Sequence, residues 1–324
     1  MRSVLKSVIK GLVGGVSALT VCAAAAAYPE RPINMVVVFG PGGTSDVVAR
    51  QFSQALADVL GSEVVVQNRP GAGGNVGASS VARATPDGYT LLAGFPGLTT
   101  NGALYKNLNY DPVNDFIPIS RLASAPNVIV VPPTSTAQNL QQLIEQGRQK
   151  AGGMNFGSAG PGSSSHLAGE LLKEKTGMNL VHVPYKGGAP ALVDLTSGRI
   201  DLMIIPAPEA ASLINSGKIK ALALASDQRS SLLPDVPTTA QAGLSDFVVG
   251  SWYGFLAPRG VPDNVLATLK SATTKALQSE ALKNYFQTAG IELVASSPED
   301  FEKFLADERK RWGAVIEKNQ IRLD

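Results

Sequence analysis

From Ile33 onward the chain alternates short β-branched, apolar runs with segments whose apolar residues recur every three or four positions. INMVVVF (33–39) precedes a helical pattern with Val48, Phe52, Leu56, Val59 and Leu60 on one face, ended by Gly61. EVVVQN (63–68) and YTLLAGF (89–95) follow as further strands. Continuous apolar strands separated by helices indicate a parallel sheet covered on both faces. A second series begins after the extended, proline-marked stretch FIPISRLASAPNVIVVPP (116–133). It reads as a helix around Leu140, Leu143 and Ile144, the strand MNFGS (154–158), a helix from Ser164 to Thr176 closed by Gly177, then LVHVPY (180–185). A short helix opened by Pro190 leads to IDLMII (200–205), and a helix ended by Gly217 leads to KALALAS (220–226). The segment SDFVVGSWYGFLAPRGVP (245–262) reads as a second long extended connector, with helices from Asp263 and Pro298 after it. Two extended connectors bracketing the second α/β unit predict a chain that leaves one lobe, builds another and returns. The expected division is 28–120 plus 250–324 for lobe one and 121–249 for lobe two.

The N-terminus changes the reading of charge. Arg2, Lys6 and Lys10 are followed by an uncharged stretch and an alanine run ending at Tyr28-Pro29. That is the layout of a secretory signal peptide over residues 1–27, with Ala25-x-Ala27 at the cleavage site. A membrane anchor is the competing reading, but the stretch is rich in Gly, Ser, Thr and Ala and soon meets Pro, Glu and Arg. Lipid attachment at Cys22 would want a small residue where Val21 stands. Cleavage after Ala27 leaves 297 residues with 25 basic and 26 acidic side chains, and no cysteine. Disulfides and thiolate metal sites are then excluded. No basic block remains to suggest nucleic acid.

Candidate chemistry concentrates in two loops. FGPGGTSD (39–46) has glycines and hydroxyls between a strand and a helix, yet no lysine, so it is not a phosphate loop of the Walker type. Gly42 and Gly43 free the backbone, Thr44 and Ser45 supply hydroxyls, and the helix points its positive end at the loop. Neutral donors of this kind suit a single carboxylate; alternatively, Ser45 or Asp46 simply caps the helix. GSAGPGSSSH (157–166) repeats the construction in the second unit. Such loops lie at the carboxyl ends of parallel strands, where ligands collect. Two of them, one per lobe, favour a ligand site over capping alone.

Other motifs are weaker. NRPGAGGNVG spaces Gly71, Gly73 and Gly77 as Gly-x-Gly-x-x-x-Gly, and the next strand ends in Gly94 and Phe95 without an acidic residue, so no dinucleotide cofactor is expected. His166 and His182 are the two histidines. The first donates to a ligand or packs locally; the second reads as core. There is no Gly-x-Ser-x-Gly elbow and no Glu-x-x-His pair, so catalytic machinery and metal ligands are not visible. Phe39, Phe95, Trp252 and Tyr253 line a cleft or fill the core.

Over nearly the whole mature chain the sequence resembles the Bug-type extracytoplasmic solute receptors of the tripartite tricarboxylate transporter (TctC-like) family. The blocks that carry the resemblance are YPERPINMVVVFGPGGTSDVVAR, NRPGAGGNVGA, ATPDGYTLL, NFGSAGPGSSSHLAGELL, VPYKGGAPALVDLTSGRIDLM, SGKIKALALAS, PDVPTTAQAG and SWYGFLAPRGVP. The resemblance implies a periplasmic-binding-protein type II α/β fold, with two parallel-sheet lobes joined by a two-strand hinge and a ligand cleft between them. It implies no cofactor, a carboxylated ligand, membrane transporter components as partners, a monomer and a periplasmic location. By motif it carries ligand contacts onto Gly42, Gly43, Thr44, Ser45 and Asp46 of the first loop, and onto Gly157, Ser158, Ala159, Gly160, Ser163, Ser164 and His166 opposite. Phe39 and Ala207 beside these loops complete the expected ligand-binding set. One departure stands out. Many such receptors place an acidic residue soon after the strand that here reads IDLMII, whereas this chain continues Pro206-Ala207-Pro208-Glu209. If that position holds a ligand ammonium, an amino-acid ligand is disfavoured, and Glu209 substitutes only if the loop bends inward. A secreted enzyme using His166 as base, and a sensor for a signalling partner, are the alternatives.

Overall fold

The computed structural model describes residues 28–323; the expected signal segment lies outside the described residues. The first apolar runs become β1 (Ile33–Val37), β2 (Val64–Asn68) and β3 (Thr90–Gly94), paired in parallel in the order β2-β1-β3. They are joined through α1 (Thr44–Leu60) and α2 (Asn75–Ala82), and α3 (Gly97–Leu104) follows β3. Both faces are covered, which is why the strands are apolar throughout. Met35, Val37 and Leu91 meet Val48, Phe52 and Leu56 of α1 on one side. Val36, Val38 and Leu92 meet Ala78 and Phe95 on the other.

The strand β4 (Phe116–Val131) then runs through two sheets. Phe116–Pro126 pairs antiparallel with β9 (Gly250–Pro258). Asn127–Val131 pairs antiparallel with β7 (Leu202–Pro206) and β8 (Lys220–Ala225). Its prolines sit where the ladder is interrupted, Pro118 beside a bulge and Pro126 at the change of sheet, because proline has no N–H to donate. In the second sheet β5 (Met154–Ser158), β6 (Leu180–Pro184) and β7 are parallel, in the order β7-β5-β6. Helices α4 (Leu140–Gln149), α5 (Ser164–Thr176), α6 (Gly188–Thr196) and α7 (Ala207–Asn215) cover it. Each sheet with its helices forms one lobe. Each lobe is parallel except for the crossing strands, which makes both sheets mixed.

The return crossing is shorter than the extended segment expected over 245–262. Asp246 turns at φ 57°, and Val249 still belongs to the second lobe, its N–H donating to Ala225 O and its carbonyl accepting from Asn127 N–H. Only from Gly250 does the chain enter the first sheet. Helices α8 (Asp263–Ala276) and α9 (Glu280–Thr288), the short β10 (Glu292–Leu293) and α10 (Pro298–Lys318) complete the chain. The last helix ties the lobes together. Phe301 and Leu305 pack in the first core with Trp252, whereas Trp312 and Ile316 pack in the second with Leu167. Among the described residues no helix is long and apolar enough to cross a membrane.

Candidate functional site

The two glycine- and hydroxyl-rich loops meet across the gap between the lobes. They enclose a cavity of about 60 Å³. Its polar wall includes Ser45 from α1, Ser163, Ser164 and Ser165 from the start of α5, Ser251 and Tyr253 from β9, and the charged Lys186 and Glu209. Its apolar wall includes Phe39, Pro41, Phe95 and Pro96. Phe39 and Phe95 stand edge to face with ring centroids 5.8 Å apart. Close backbone approaches hold the lobes together here. A Cβ on Gly73 would lie 2.3 Å from Pro161 O, and one on Gly162 2.3 Å from Asn101 Oδ1, so only glycine permits these contacts.

The α5 end caps itself. Ser163 Oγ accepts the His166 N–H at 3.3 Å and donates to Gly160 O at 2.6 Å. Helix geometry leaves the Ser164 and Ser165 N–H groups without intrahelical acceptors at the cavity wall. Ser164 Oγ bonds Ser251 Oγ at 2.6 Å, linking α5 to the crossing strand. Beside them the Tyr253 hydroxyl is a buried donor and acceptor: the residue is 5% exposed, lies near Ser251 and Thr44, and has no partner in hydrogen-bonding geometry. Burial, and then the nearby Glu209, push its pKa far up, so it is a neutral phenol.

The α1 end is built differently. No side chain of its own loop caps it. Instead the Thr44 N–H donates across the gap to Glu209 Oε1 at 2.9 Å. Glu209 needs no inward-bending loop, because α7 begins directly after β7 and its first turn aims the carboxylate at α1. Burial raises the Glu209 pKa, against the lowering effect of the Thr44 contact. On its far side Glu209 borders an open groove of about 670 Å³ shared with Gly42, Thr44, Pro208 and Ser212.

Of the residues singled out from sequence, Phe39, Gly43, Ser45, Ala159, Ser163 and Ser164 line the cavity. The others lie behind it, each for a local reason. Asp46 turns its carboxylate inward: Oδ2 accepts from Gly42 N–H at 3.1 Å and Arg50 Nε at 2.9 Å, and Oδ1 from Asn68 Nδ2 at 2.9 Å. Burial would raise its pKa, but these bonds outweigh that and hold it below the usual carboxylate range. Asp46 therefore braces the loop, and the Gly42 amide is spent on it. Thr44 contributes its N–H to Glu209 and faces the rear groove. Gly157 is packed under Ile200, where a Cβ would lie 2.4 Å from Cδ1. Ser158 is fully buried and bonds His182 Nε2 at 2.6 Å while accepting from Gly160 N–H at 3.1 Å. Gly160 takes φ 123° to turn the loop. His166 accepts the Gly162 N–H on Nδ1 at 3.2 Å and stacks on His182 at 4.1 Å. Ala207 is fully buried in the second core, leaving Pro206 at the wall.

Sequence reasoning passed over Lys186 and Gly187 in the turn before α6, Gly188 at its start, and Ser165 and Ser251, all of which line the cavity. The Lys-Gly-Gly run after a strand was the available signal for the turn. Ser251 sits in a run that reads as core, and nothing local marks it. The histidines do not form a catalytic pair with a surface serine: Ser158 is inaccessible, and His166 is committed to its own loop. Among the described residues no cluster of three or more His, Cys, Asp or Glu side chains could hold a metal ion.

Comparison with known proteins agrees with this architecture. Residues 48–321 match the sequence model of the family described as tripartite tricarboxylate transporter family receptor. The solved periplasmic binding protein BugD is 37% identical, with a TM-score of 0.87 over 91% of this chain and all of that one. An R. palustris protein solved with adipate is 35% identical, with a TM-score of 0.87 over 92% of this chain and all of its own. MatC from Rhodopseudomonas palustris, solved with bound malate, is 32% identical, with a TM-score of 0.83 over 89% of this chain and all of its own. The family is one of binding receptors and not of enzymes, so the secreted-enzyme alternative falls. Two α/β lobes, a cavity between two helix N-termini and a match along most of the sequence together place the chain in the tripartite tricarboxylate transporter receptor family.

Proposed function

We propose that this chain is a periplasmic receptor that captures a small organic acid between its lobes and presents it to the membrane components of a tripartite tricarboxylate transporter. The observation that carries the reading is the α5 end of the cavity: free helix N–H groups beside a buried Tyr253 hydroxyl that lacks a partner. A carboxylate placed there gains charge-assisted hydrogen bonds and the favourable end of the helix dipole. Adipate and malate in the neighbours support an acid as the ligand class. The cavity of about 60 Å³ exceeds the roughly 10–15 Å³ that a single water needs. A carboxylate group fits with the lobes as they stand, and a longer acid holds them further apart. Opening about the crossings at Pro126–Asn127 and Val249–Gly250 then admits the ligand.

Isothermal titration of the mature protein against a panel of mono-, di- and tricarboxylates is the test. At least one acid binds, none is turned over, and Ser164→Phe abolishes binding while leaving the circular dichroism spectrum intact. Unchanged affinity in Ser164→Phe would remove the site assignment.

A further inference from the structure

Among the described residues that line the cavity, Glu209 is the acidic side chain and Lys186 the basic one. The Glu209 carboxylate lies in a slot made by two glycines from opposite lobes. A Cβ on Gly43 would come within 3.3 Å of Oε1, and one on Gly188 within 2.0 Å of Oε2. Gly43 is the N-cap of α1 and Gly188 the first residue of α6, so two helix N-termini converge on this carboxylate. With the Thr44 N–H donating at 2.9 Å, it receives what a bound acid would receive at that end. The lobe-one N–H donor at Thr44 is thus occupied by the protein itself; the groups around the cavity still without a partner are Thr44 Oγ1 on that side, the Tyr253 hydroxyl beside it, and the N–H groups at the start of α5.

We propose that Glu209 sets the charge of the acid this cleft accepts: one ligand carboxylate is held at the α5 end, and a second carboxylate reaching toward α1 is rejected. The inference rests on the reading of the cleft as an acid-binding site. Like charges brought together away from bulk water repel strongly, and discrimination by an opposing charge is a common route to specificity. The uncharged body of the ligand meets Phe39, Pro41, Phe95 and Pro96; among the described lining residues Lys186 is the one cation that could partner a second anion, and it stands in the turn before α6 rather than at the α1 start. A diacid whose second carboxylate reaches toward α1 binds only with Glu209 protonated or displaced from Thr44. Burial of Glu209 favours the first of these routes. The other titratable side chains facing the cavity are Tyr253 from β9 and Lys186 from the turn before α6, and substitution of Glu209 leaves both in place.

Two pairs of acids with equal carbon chains isolate the second charge: butanoate with succinate, and hexanoate with adipate. Calorimetric titration at pH 8.5 gives the wild-type protein at least a tenfold preference for the monoacid of each pair that binds. Glu209→Gln and Glu209→Ala each narrow that gap at least tenfold. As the pH is lowered from 8.5 the gap narrows more in the wild type than in Glu209→Gln, because burial raises the Glu209 pKa. A wild-type protein that binds the diacid as tightly as its monoacid overturns the inference, as does a gap that persists in both variants. If none of the four acids binds wild type or variants, the inference is overturned, because no monoacid is held at the α5 end; the acid-receptor reading fails only if no acid of the wider panel binds. Binding of the monoacid by a variant also demonstrates that the variant is folded.

Discussion

The loops that open α1 and α5 are built from the same kinds of residue, yet they end in opposite states. Ser163 caps α5 from within its own loop, and the freed donors face the cavity beside Tyr253. The α1 loop has hydroxyls at Thr44 and Ser45 but uses neither as its cap, and takes Glu209 from the other lobe. Gly-rich, hydroxyl-rich composition therefore specifies a site that can hold an anion. What fills it depends on the partner lobe.

The largest expected difference between the two loops is their response to acid. Behind α5, burial holds His166 at about 3 and His182 at about 4, with the neighbouring ring adding to the effect on His166. Both lie below the ordinary histidine value of 6.5, so the unfolded chain binds protons that the folded chain refuses. Their stabilisation is complete above pH 6.5 and is lost as the pH falls toward 4, by up to about 1.4 kcal/mol per pH unit for each ring. Asp46, which braces the α1 loop, has a pKa lowered from the ordinary 3.8, so its contribution is intact above that value and is lost only as the pH falls from there through the lower folded value. Urea unfolding from pH 7 to pH 4.5 checks this sign; a midpoint that stays flat contradicts it.

Next in size is Tyr253→Phe. It removes a hydroxyl that lacks a partner in the protein and that the ligand carboxylate would satisfy. Affinity for the best acid falls about tenfold, on the order of 1.4 kcal/mol, while thermal stability is unchanged or slightly higher. Calorimetry together with a melting curve distinguishes this from general damage, which would lower both. Smallest is the capping difference. Ser163→Ala costs about 1 kcal/mol of stability, as loss of an N-cap does, whereas Ser45→Ala costs less than about 0.5 kcal/mol because α1 takes no cap from it. Paired urea midpoints measure both; equal losses would mean that the two helix starts are not held differently.

Much of this was legible from local pattern. The runs at 33–37, 64–68 and 90–94 are apolar because both faces of their sheet are covered, and that pattern needs no tertiary knowledge. The serines at 163 and 164 were visible because a helix start after a strand demands donors and caps. Glu209 was seen but not placed, since its reach depends on α7 starting immediately after Pro206 and on the approach of α1 from the other lobe. Ser251 and Tyr253 lie in a strand whose neighbours are core, so no periodicity separates wall from interior. Asp46 and His166 carry the chemistry of a binding site, but hydrogen bonds within their own loops claim it.

The most direct test of which loop holds the ligand is a crystal structure of the mature protein with its tightest-binding acid. The cavity geometry predicts a carboxylate against the Ser164 and Ser165 N–H groups and the Tyr253 hydroxyl, with Glu209 still accepting from Thr44. A carboxylate bound to the Thr44 N–H with Glu209 swung away would contradict it.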